Sequence, residues 1–321
     1  MTDQETLQVD VPVIVLTGPT AIGKTALSFA IAAEFDCEII SMDSMQVYRY
    51  MDIGTAKPTR DEQRQFRHHL IDIINPDEQY NAARFVEDCL VAIQKISRQG
   101  RVPLITGGTG LYLSSLINGL FNIIKVSDDV KERLDRMLQL HGPNGLYSEL
   151  CRVDPISAAR IHKNDRQRIR RGLEIFFSTG VPWSSHIQEQ KNKKPMVRFS
   201  RLFAACLTCP RERLYKRIEH RTGIMLAQGL VEEVEKLRKL GYGAGLNSMQ
   251  SIGYRHANQV IDRTWGLEEM KSYLIRDTRR YAKRQMTWFR RQNFLHWYNR
   301  GEQDAILHGI SRKIMKTGRN N

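Results

Sequence analysis

The chain has 321 residues, enough for about two domains, and its 41% hydrophobic and 26% charged residues are typical of a folded globular protein. It contains no apolar run of transmembrane length and no signal peptide, and its five cysteines follow no disulfide-framework spacing. We therefore expect a cytoplasmic protein without a membrane partner. Cys206 and Cys209 have the spacing of half a zinc site, but no second pair follows, so no zinc site is predicted.

The net charge of +14 is unevenly distributed along the chain. Residues 1–124 carry a net charge of −5, residues 125–200 carry +6 and residues 201–321 carry +13. A basic field of this size attracts a phosphate backbone and releases its counterions. The alternative is a solvated basic surface that only aids solubility.

The first two predicted elements enclose a phosphate-binding motif. Val11–Thr17 is an apolar, strand-like run, and Lys24–Phe35 is an Ala-rich, helix-like run. Between them, G-P-T-A-I-G-K-T matches G-x-x-x-x-G-K-[ST] at every fixed position. The backbone N–H groups of such a turn converge on a phosphate, a lysine adds positive charge, and the last hydroxyl can bind Mg²⁺. The predicted diphosphate or triphosphate site consists of Gly18, Pro19, Thr20, Ala21, Ile22, Gly23, Lys24 and Thr25, with Thr25 as the metal ligand.

Strand-like and helix-like segments alternate through the first third of the chain. The further strands are predicted at Cys37–Met42, His69–Ile74 and Val102–Thr106. A helix is predicted over Asn81–Arg98, with Asn81 as its N-cap. This alternation predicts an α/β fold with a parallel sheet and helices on both faces. Ligands bind at the carboxyl ends of such strands, so Gly18, Asp43 and Thr109 should face one crevice.

Two polar residues near the predicted phosphate site are candidates for chemistry. Asp43, in D-S-M-Q-V-Y, can contact Mg²⁺ through water, accept a proton from a nucleophile, or simply cap a helix or turn. Thr109, in G-G-T-G-L-Y, can donate to a leaving-group oxygen or cap the following helix. Their positions alone do not decide between these roles. The strand before Thr109 lacks a terminal acidic residue, which argues against a mechanical ATPase.

The middle of the chain is predicted to be a helical, basic insertion domain. Residues 125–200 contain no strand pattern and form this domain, whereas residues 1–124 and 201–321 form the catalytic core. Its helices are predicted at Ser127–His141, Leu146–Val153 and Asp165–Thr179, followed by a basic loop at Gln188–Lys194. The third helix opens D-R-Q-R-I-R-R, and these arginines oppose the helix dipole unless a polyanion balances them. A solvated charged turn is the alternative.

The last part of the chain begins with a strand at Arg201–Leu207 and continues with long helices. These helices are predicted at Arg211–Gln228, Val231–Leu240 and Leu267–Arg291. In the last of them, apolar residues recur every seven positions, at Leu274, Tyr281 and Trp288. We interpret them as core, with base-stacking platforms as the alternative for the two aromatic residues. Another side of this helix is basic and is predicted to contact RNA or diphosphate. Its residues are Arg276, Arg280, Lys283 and Arg290.

Eight ordered motifs resemble those of bacterial tRNA dimethylallyltransferases. They are G-P-T-A-I-G-K-T, D-S-M-Q-V-Y, M-D-I-G-T-A-K-P, H-H-L-I-D, G-G-T-G-L-Y, Q-R-I-R-R, S-I-G-Y-R and Y-A-K-R-Q-M-T-W-F-R. The resemblance runs from about Val13 to Trp288 and departs at Asn81, where the family more often has Ser or Thr. It implies a P-loop NTPase-like core, without the zinc-finger extension of eukaryotic relatives.

The resemblance also implies a reaction and roles for individual residues. The dimethylallyl group of dimethylallyl diphosphate passes to the exocyclic amine of the adenosine 3′ of the anticodon in tRNA. Asp43 is then the general base, Thr109 donates to the bridging oxygen, Arg221 neutralises the diphosphate, and Gln46 reads the flipped adenine. The implied partners are the donor and the tRNA anticodon stem-loop, with Mg²⁺ as cofactor, and we expect a monomer. The predicted tRNA contacts are Asp43, Ser44, Met45, Gln46, Thr109, Lys131, Gln167, Arg168, Ile169, Arg170, Arg171, Gln250, Ser251, Ile252, Gly253, Tyr254, Arg255, Arg280, Lys283 and Arg284.

Two other classes of protein fit part of the sequence. A small-metabolite P-loop kinase would explain residues 18–25 and Arg221, but it would leave the charge of residues 125–321 unexplained. A non-catalytic or ATP-driven RNA-binding protein would explain that charge. It would not explain why Asp43 and Thr109 converge on the phosphate site.

Overall fold

The computed structural model describes residues 6–119, 124, 126–192 and 197–314, and the chain divides into two compact units. The larger unit is Leu7–Ile117 with Val197–Asn321, and the smaller is Asn118–Met196 with Met1–Thr6. The predicted insertion at residues 125–200 falls largely within the smaller unit. None of the helices in the described part of the chain has the length and hydropathy needed to cross a bilayer.

The larger unit is built on a six-stranded parallel sheet. Its strands are β1 Leu7–Thr17, β2 Cys37–Met42, β3 His68–His69, β4 Val102–Gly107, β5 Val197–Thr208 and β6 His296–Asn299. They pair in the order β3-β2-β4-β1-β5-β6, which confirms the predicted α/β, P-loop NTPase-like fold. The central strands are enclosed on both faces, because the register partners Ile14 and Leu104 on one face and Val15 and Ile105 on the other are all fully buried.

Helices and strands alternate from β1 to α4, as the sequence predicts for the first third of the chain. They are α1 Lys24–Glu34, α2 Arg60–Gln65, α3 Ala82–Arg98, α4 Gly110–Asn118, α5 Asp128–Val153, α6 Pro155–Ala158, α7 Arg166–Thr179, α8 Trp183–Asn192, α9 Arg211–Ala227, α10 Leu230–Lys239, α11 Tyr254–Ile261, α12 Leu267–Phe289 and α13 Gln303–Ile314. The Asn81 side chain accepts the N–H groups of Ala83 and Arg84, which confirms it as the N-cap of α3. Helices α5 to α8 belong to the smaller unit, whose core includes Leu150 and Leu173.

The structure corrects two predicted elements. The strand predicted at His69–Ile74 is wrong beyond its first residue, because Leu70 and Asp72 adopt φ angles of +61° and +56° that turn the chain out of the extended conformation. The loop predicted at Gln188–Lys194 is helical as far as Asn192, and residues 193–194 lie outside the described residues.

The carboxyl ends of three central strands lie level with one another. In the sheet register, Thr17 pairs with Gly107, and Met42 pairs with the same residue from the other side. The segments that leave β1, β2 and β4 therefore start side by side. They contain Gly18, Asp43 and Thr109, as the strand pattern predicts.

Candidate active site at the phosphate-binding loop

The phosphate-binding loop, residues 18–25, joins β1 to α1 and holds its lysine inward. Gly23 adopts a φ of +107° directly before α1, a conformation that disfavours any residue with a Cβ atom. Lys24 Nζ donates to the carbonyl oxygens of Gly18 and Pro19 at 3.0 and 2.9 Å. Burial, with a smaller contribution from the Arg221 guanidinium, lowers the pKa of Lys24 to about 8. An anion bound in the loop would offset this cost of charging the lysine.

Helix α9 places two arginines one turn apart against the loop. Arg221 donates from NH1 to Thr20 Oγ1 at 3.1 Å. Arg217 donates from Nε to the carbonyl oxygen of Ala21 at 2.6 Å. Burial lowers the pKa of Arg221, and the nearby Asp43 carboxylate opposes that change. The loop is therefore surrounded by cations, as a phosphate site requires.

Asp43 and Thr109 are joined through the turn that follows β2. Asp43 Oδ1 accepts the N–H of Met45 at 2.9 Å, so this carboxylate caps a turn, as one of the sequence-based interpretations proposed. Its Oδ2 has no hydrogen bond from the described residues. Thr109 Oγ1 accepts the N–H of Ser44 at 3.2 Å and keeps its own proton for donation. Both side chains thus retain an atom that can act on a ligand.

A cavity of about 250 Å³ connects the loop with Asp43 and with Ser44, the residue whose N–H bonds Thr109. One end is polar and contains Thr20, Asp43 and Arg221. The remaining wall is largely apolar and comes from α9, α12 and the segment before α11. Its apolar residues are Ile218, Met225, Ile252, Leu274 and Tyr281. The shape can hold a short hydrocarbon next to a diphosphate, with a carboxylate at the junction.

Two of the predicted RNA contacts, Gln46 and Tyr254, are engaged by the protein itself. Gln46 Oε1 accepts the hydroxyl of Ser41 at 2.9 Å, and its Nε2 points toward the carbonyl oxygens of Thr55 and Ala56 at 3.4 and 3.3 Å. Tyr254 is fully buried at the start of α11. Gln46 would have to exchange these partners to read an adenine, whereas Tyr254 can only shape the cavity wall.

The predicted RNA contacts of the larger unit extend from the cavity along α12. Ser251, Ile252 and Gly253 line the cavity, and Gln250 beside them donates to the carbonyl oxygen of Ala244. Arg255 and Arg280 lie 2.7 and 3.6 Å from the two carboxylate oxygens of Asp277. Lys283 and Arg284 are exposed. Their contact with RNA stays a prediction.

The other predicted RNA contacts lie in the smaller unit, and carboxylates surround them. Lys131 pairs with Asp128 at 2.7 Å. On α7, Arg168 lies 3.5 Å from Asp165, Arg170 pairs with Asp135 and Glu174, and Arg171 lies 3.4 Å from Glu174. Protein carboxylates therefore balance three of the four arginines, which corrects the expectation that a polyanion is needed. The side chain of Ile169 is buried in the core of this unit, and Gln167 is exposed.

The residues present offer Mg²⁺ few ligands. Among the described residues, no group of three or more His, Cys, Asp or Glu side chains is arranged to hold a metal. Thr25 is exposed in the first turn of α1, and Asp43 lies at the polar end of the cavity. A magnesium ion fits here only if diphosphate oxygens and water complete its octahedral shell.

Comparison with known proteins identifies the family. The family model described as IPP transferase matches residues 46–292. This chain belongs to the IPP transferase family. It is 49% identical over 301 residues to the tRNA dimethylallyltransferase of Desulfotalea psychrophila, covering 94% of this chain and 95% of the relative. It is 45% identical over 311 residues to that of Desulfosudis oleivorans, covering 96% and 97%.

Solved structures of related proteins share the fold. The full-length tRNA isopentenylpyrophosphate transferase of Bacillus halodurans superposes with a TM-score of 0.69 at 36% identity, covering 95% of this chain and 97% of that chain. A eukaryotic dimethylallyltransferase acting on tRNA superposes with a TM-score of 0.71 at 29% identity, covering 96% and 77%. The fold of this chain therefore agrees with its membership of the IPP transferase family.

Sequence analysis missed several residues that build the site of this IPP transferase. Gln285, buried on α12, bonds both the phosphate-binding loop and the end of β4. Glu233 on α10 accepts three consecutive backbone N–H groups of the segment at residues 52–54. Arg217 and Arg300 lie beside Gly23. Gln285 does lie in one of the quoted motifs, but no local pattern indicates its distant partners.

Proposed function

We propose that this protein is a tRNA dimethylallyltransferase. It transfers the dimethylallyl group of dimethylallyl diphosphate to the exocyclic amine of the adenosine 3′ of the anticodon, and diphosphate leaves. The observation that carries the proposal is the cavity that joins a phosphate-binding loop, the Asp43 carboxylate and an apolar wall. The relatives named tRNA dimethylallyltransferase, at 49% and 45% identity over nearly the whole chain, support it.

The donor binds with its two parts in different surroundings. Residues 18–25 hold the diphosphate through backbone N–H groups, while Lys24 and Arg221 neutralise its charge. The hydrocarbon lies against Ile218, Met225 and Leu274. When bound, Mg²⁺ supplies further charge neutralisation on the leaving group, with the Thr25 hydroxyl and the Asp43 carboxylate as the protein groups able to hold it. Because the diphosphate and the hydrocarbon bind in different parts of the site, the carbon that joins them faces Asp43.

The acceptor base must leave its stack to reach this carbon. The exocyclic nitrogen of adenine then bonds to the first carbon of the prenyl group, and the bond from that carbon to the bridging oxygen breaks. The nitrogen loses one proton, which Oδ2 of Asp43 accepts as general base. The hydroxyl of Thr109 donates to the bridging oxygen as negative charge develops on it. The products are the prenylated adenosine and diphosphate.

The cytoplasm is the compartment that we propose for this reaction. All five cysteines are unpaired, which suits a reducing environment. The substrate that we propose, tRNA, is also found there.

The deciding experiment is a transfer assay with unmodified tRNA. The protein is incubated with the tRNA and dimethylallyl diphosphate, and the digested nucleosides are analysed by mass. We expect one adenosine per tRNA to gain a C₅H₈ unit, and none to do so when guanosine replaces the adenosine 3′ of the anticodon. Parallel incubations with ATP in place of the prenyl donor test the kinase alternative. A phosphorylated product, or no prenylated adenosine with an active donor, would refute the proposal.

A further inference from the structure

Two arginines that the proposed reaction does not use lie over the last glycine of the phosphate-binding loop. A Cβ atom on Gly23 would lie 3.0 Å from Nε of Arg300 and 3.5 Å from NH2 of Arg217. Arg300 directly follows β6, and its N–H donates to the carbonyl oxygen of Thr208 at the end of β5. Because Gly23 precedes α1, both guanidiniums stand at the helix N-terminus, where phosphate oxygens bind in loops of this kind.

The charges of this pair are not compensated by the protein. Among the described residues, neither Arg217 nor Arg300 has a carboxylate at ion-pair distance, and Nε of Arg217 is bonded to the neutral carbonyl of Ala21. Burial, followed by the charge of Arg300, lowers the pKa of Arg217. Two guanidiniums this close repel each other, and an anion between them would remove that repulsion.

The pair differs in position from Arg221. Arg221 lines the cavity that contains Asp43, whereas neither Arg217 nor Arg300 lines it. Arg217 and Arg221 are separated by one helical turn, about 6 Å along the axis of α9. A diphosphate is long enough to contact both arginines if it lies across the loop. The structure thus offers one cation for the phosphate near the cavity and two for the phosphate farther from it.

We propose that Arg217 and Arg300 bind the terminal phosphate of the donor, while Arg221 binds the phosphate that carries the prenyl group. The inference rests on the proposed function and fixes the direction of the diphosphate within the loop. The hydrocarbon then enters the apolar part of the cavity, and the breaking C–O bond lies near Asp43 and Thr109. The reverse direction would place the hydrocarbon beside the guanidiniums of Arg217 and Arg300.

The test compares two ligands that differ only in the terminal phosphate. Dimethylallyl diphosphate and dimethylallyl monophosphate are titrated calorimetrically against the wild type and the variants Arg300→Gln and Arg221→Gln. We expect Arg300→Gln to weaken diphosphate binding about ten-fold or more while changing monophosphate binding by less than about two-fold. Arg221→Gln should weaken binding of both ligands. Arg98→Gln, an exposed arginine at the end of α3 toward the opposite edge of the sheet, is the matched charge control and should change neither.

If Arg300→Gln weakens binding of the diphosphate and of the monophosphate equally, the inference is overturned. Arg300 would then act only through its long-range positive charge and would not contact the terminal phosphate. Unchanged diphosphate binding would overturn it as well. Arg300→Lys keeps the charge and should restore part of the diphosphate affinity. The transfer assay separates this inference from the proposed function. If the ligand pattern holds while no adenosine is prenylated, the proposed function fails and the direction of the diphosphate stands.

Discussion

Gln285 accepts the main-chain N–H of Thr20 at 2.9 Å, although 265 residues separate the two in the sequence. The other end of the same amide donates to the carbonyl oxygen of Gly108 at 2.8 Å. A Cβ atom on Gly108 would lie 2.4 Å from Nε2 of Gln285, so this contact requires glycine. Gln285 therefore fixes the distance between the phosphate-binding loop and the segment that carries Thr109.

We expect Gln285→Leu to disturb donor use more than it disturbs folding. The change leaves one N–H and one carbonyl without their partner, which should lower the free energy of unfolding by about 1–3 kcal/mol. Because the loop is no longer held opposite Thr109, KM for the donor should rise. Urea unfolding and steady-state kinetics measure the two effects. Gln292→Leu, which loses only a weak bond to the carbonyl oxygen of Trp288, is the control. A donor KM equal to that of the wild type would assign Gln285 a purely structural role.

The lowered pKa of Lys24 predicts a pH dependence of diphosphate binding. In the free protein this lysine loses its proton as the pH rises through about 8. Bound diphosphate favours the charged form, so affinity should be greatest below that pH and fall above it, and binding should take up protons there. Calorimetry with pyrophosphate in buffers of different ionisation heat measures both quantities. Lys24→Arg keeps its charge at every pH tested and should flatten the profile. A wild-type affinity independent of pH between 7 and 9.5 would contradict this assignment.

Glu233 holds the segment that forms one side of the cavity. Its carboxylate accepts the N–H groups of Asp52, Ile53 and Gly54 at 2.8–3.2 Å and the hydroxyl of Tyr254 at 2.6 Å. Glu233→Gln places an amide donor against these donors, so we expect a loss of about 3 kcal/mol in the free energy of unfolding. Because Gly54 and Tyr254 line the cavity, KM for tRNA should also rise.

The control for this change is Glu235→Gln on the same helix, because Glu235 is exposed and its substitution alters charge alone. Thermal unfolding and tRNA saturation curves are measured for both variants. A Glu233→Gln protein as stable as the control would show that the four hydrogen bonds contribute little.

Local patterns predicted the core of the site because its signals are contiguous. The glycines, Lys24 and Thr25 follow one another between a strand and a helix, and Asp43 and Thr109 each follow a strand that parallel pairing brings level. A short stretch of sequence therefore shows both which functional groups are present and which strand end places them.

The residues that lock the site could not be found in this way, because their partners are distant. Gln285 meets Thr20 and Gly108 only when α12 packs against the sheet ends. Arg300 follows β6, a strand of four residues of which three are exposed, and sequence analysis predicted no strand there. For the arginines of α7, the local pattern suggested a polyanionic ligand that the fold does not require. Arg170 is balanced by Asp135, a carboxylate 35 positions earlier in the chain.

The role of Asp43 is tested best by two substitutions, because one carboxylate oxygen caps a turn and the other is available to a ligand. Asp43→Asn keeps an oxygen for the N–H of Met45 but removes the base, so it should fold like the wild type and slow the chemical step by roughly 10²–10⁴-fold. Asp43→Ala should show the same slowing and also lose about 1 kcal/mol of stability. Single-turnover rates at saturating donor and tRNA, with melting curves, measure both effects. If Asp43 mainly organises Mg²⁺, the rate defect should shrink as Mg²⁺ is raised. If the Asn variant turns over at the wild-type rate, the carboxylate serves only the turn, and another group must take the proton from the adenine amine.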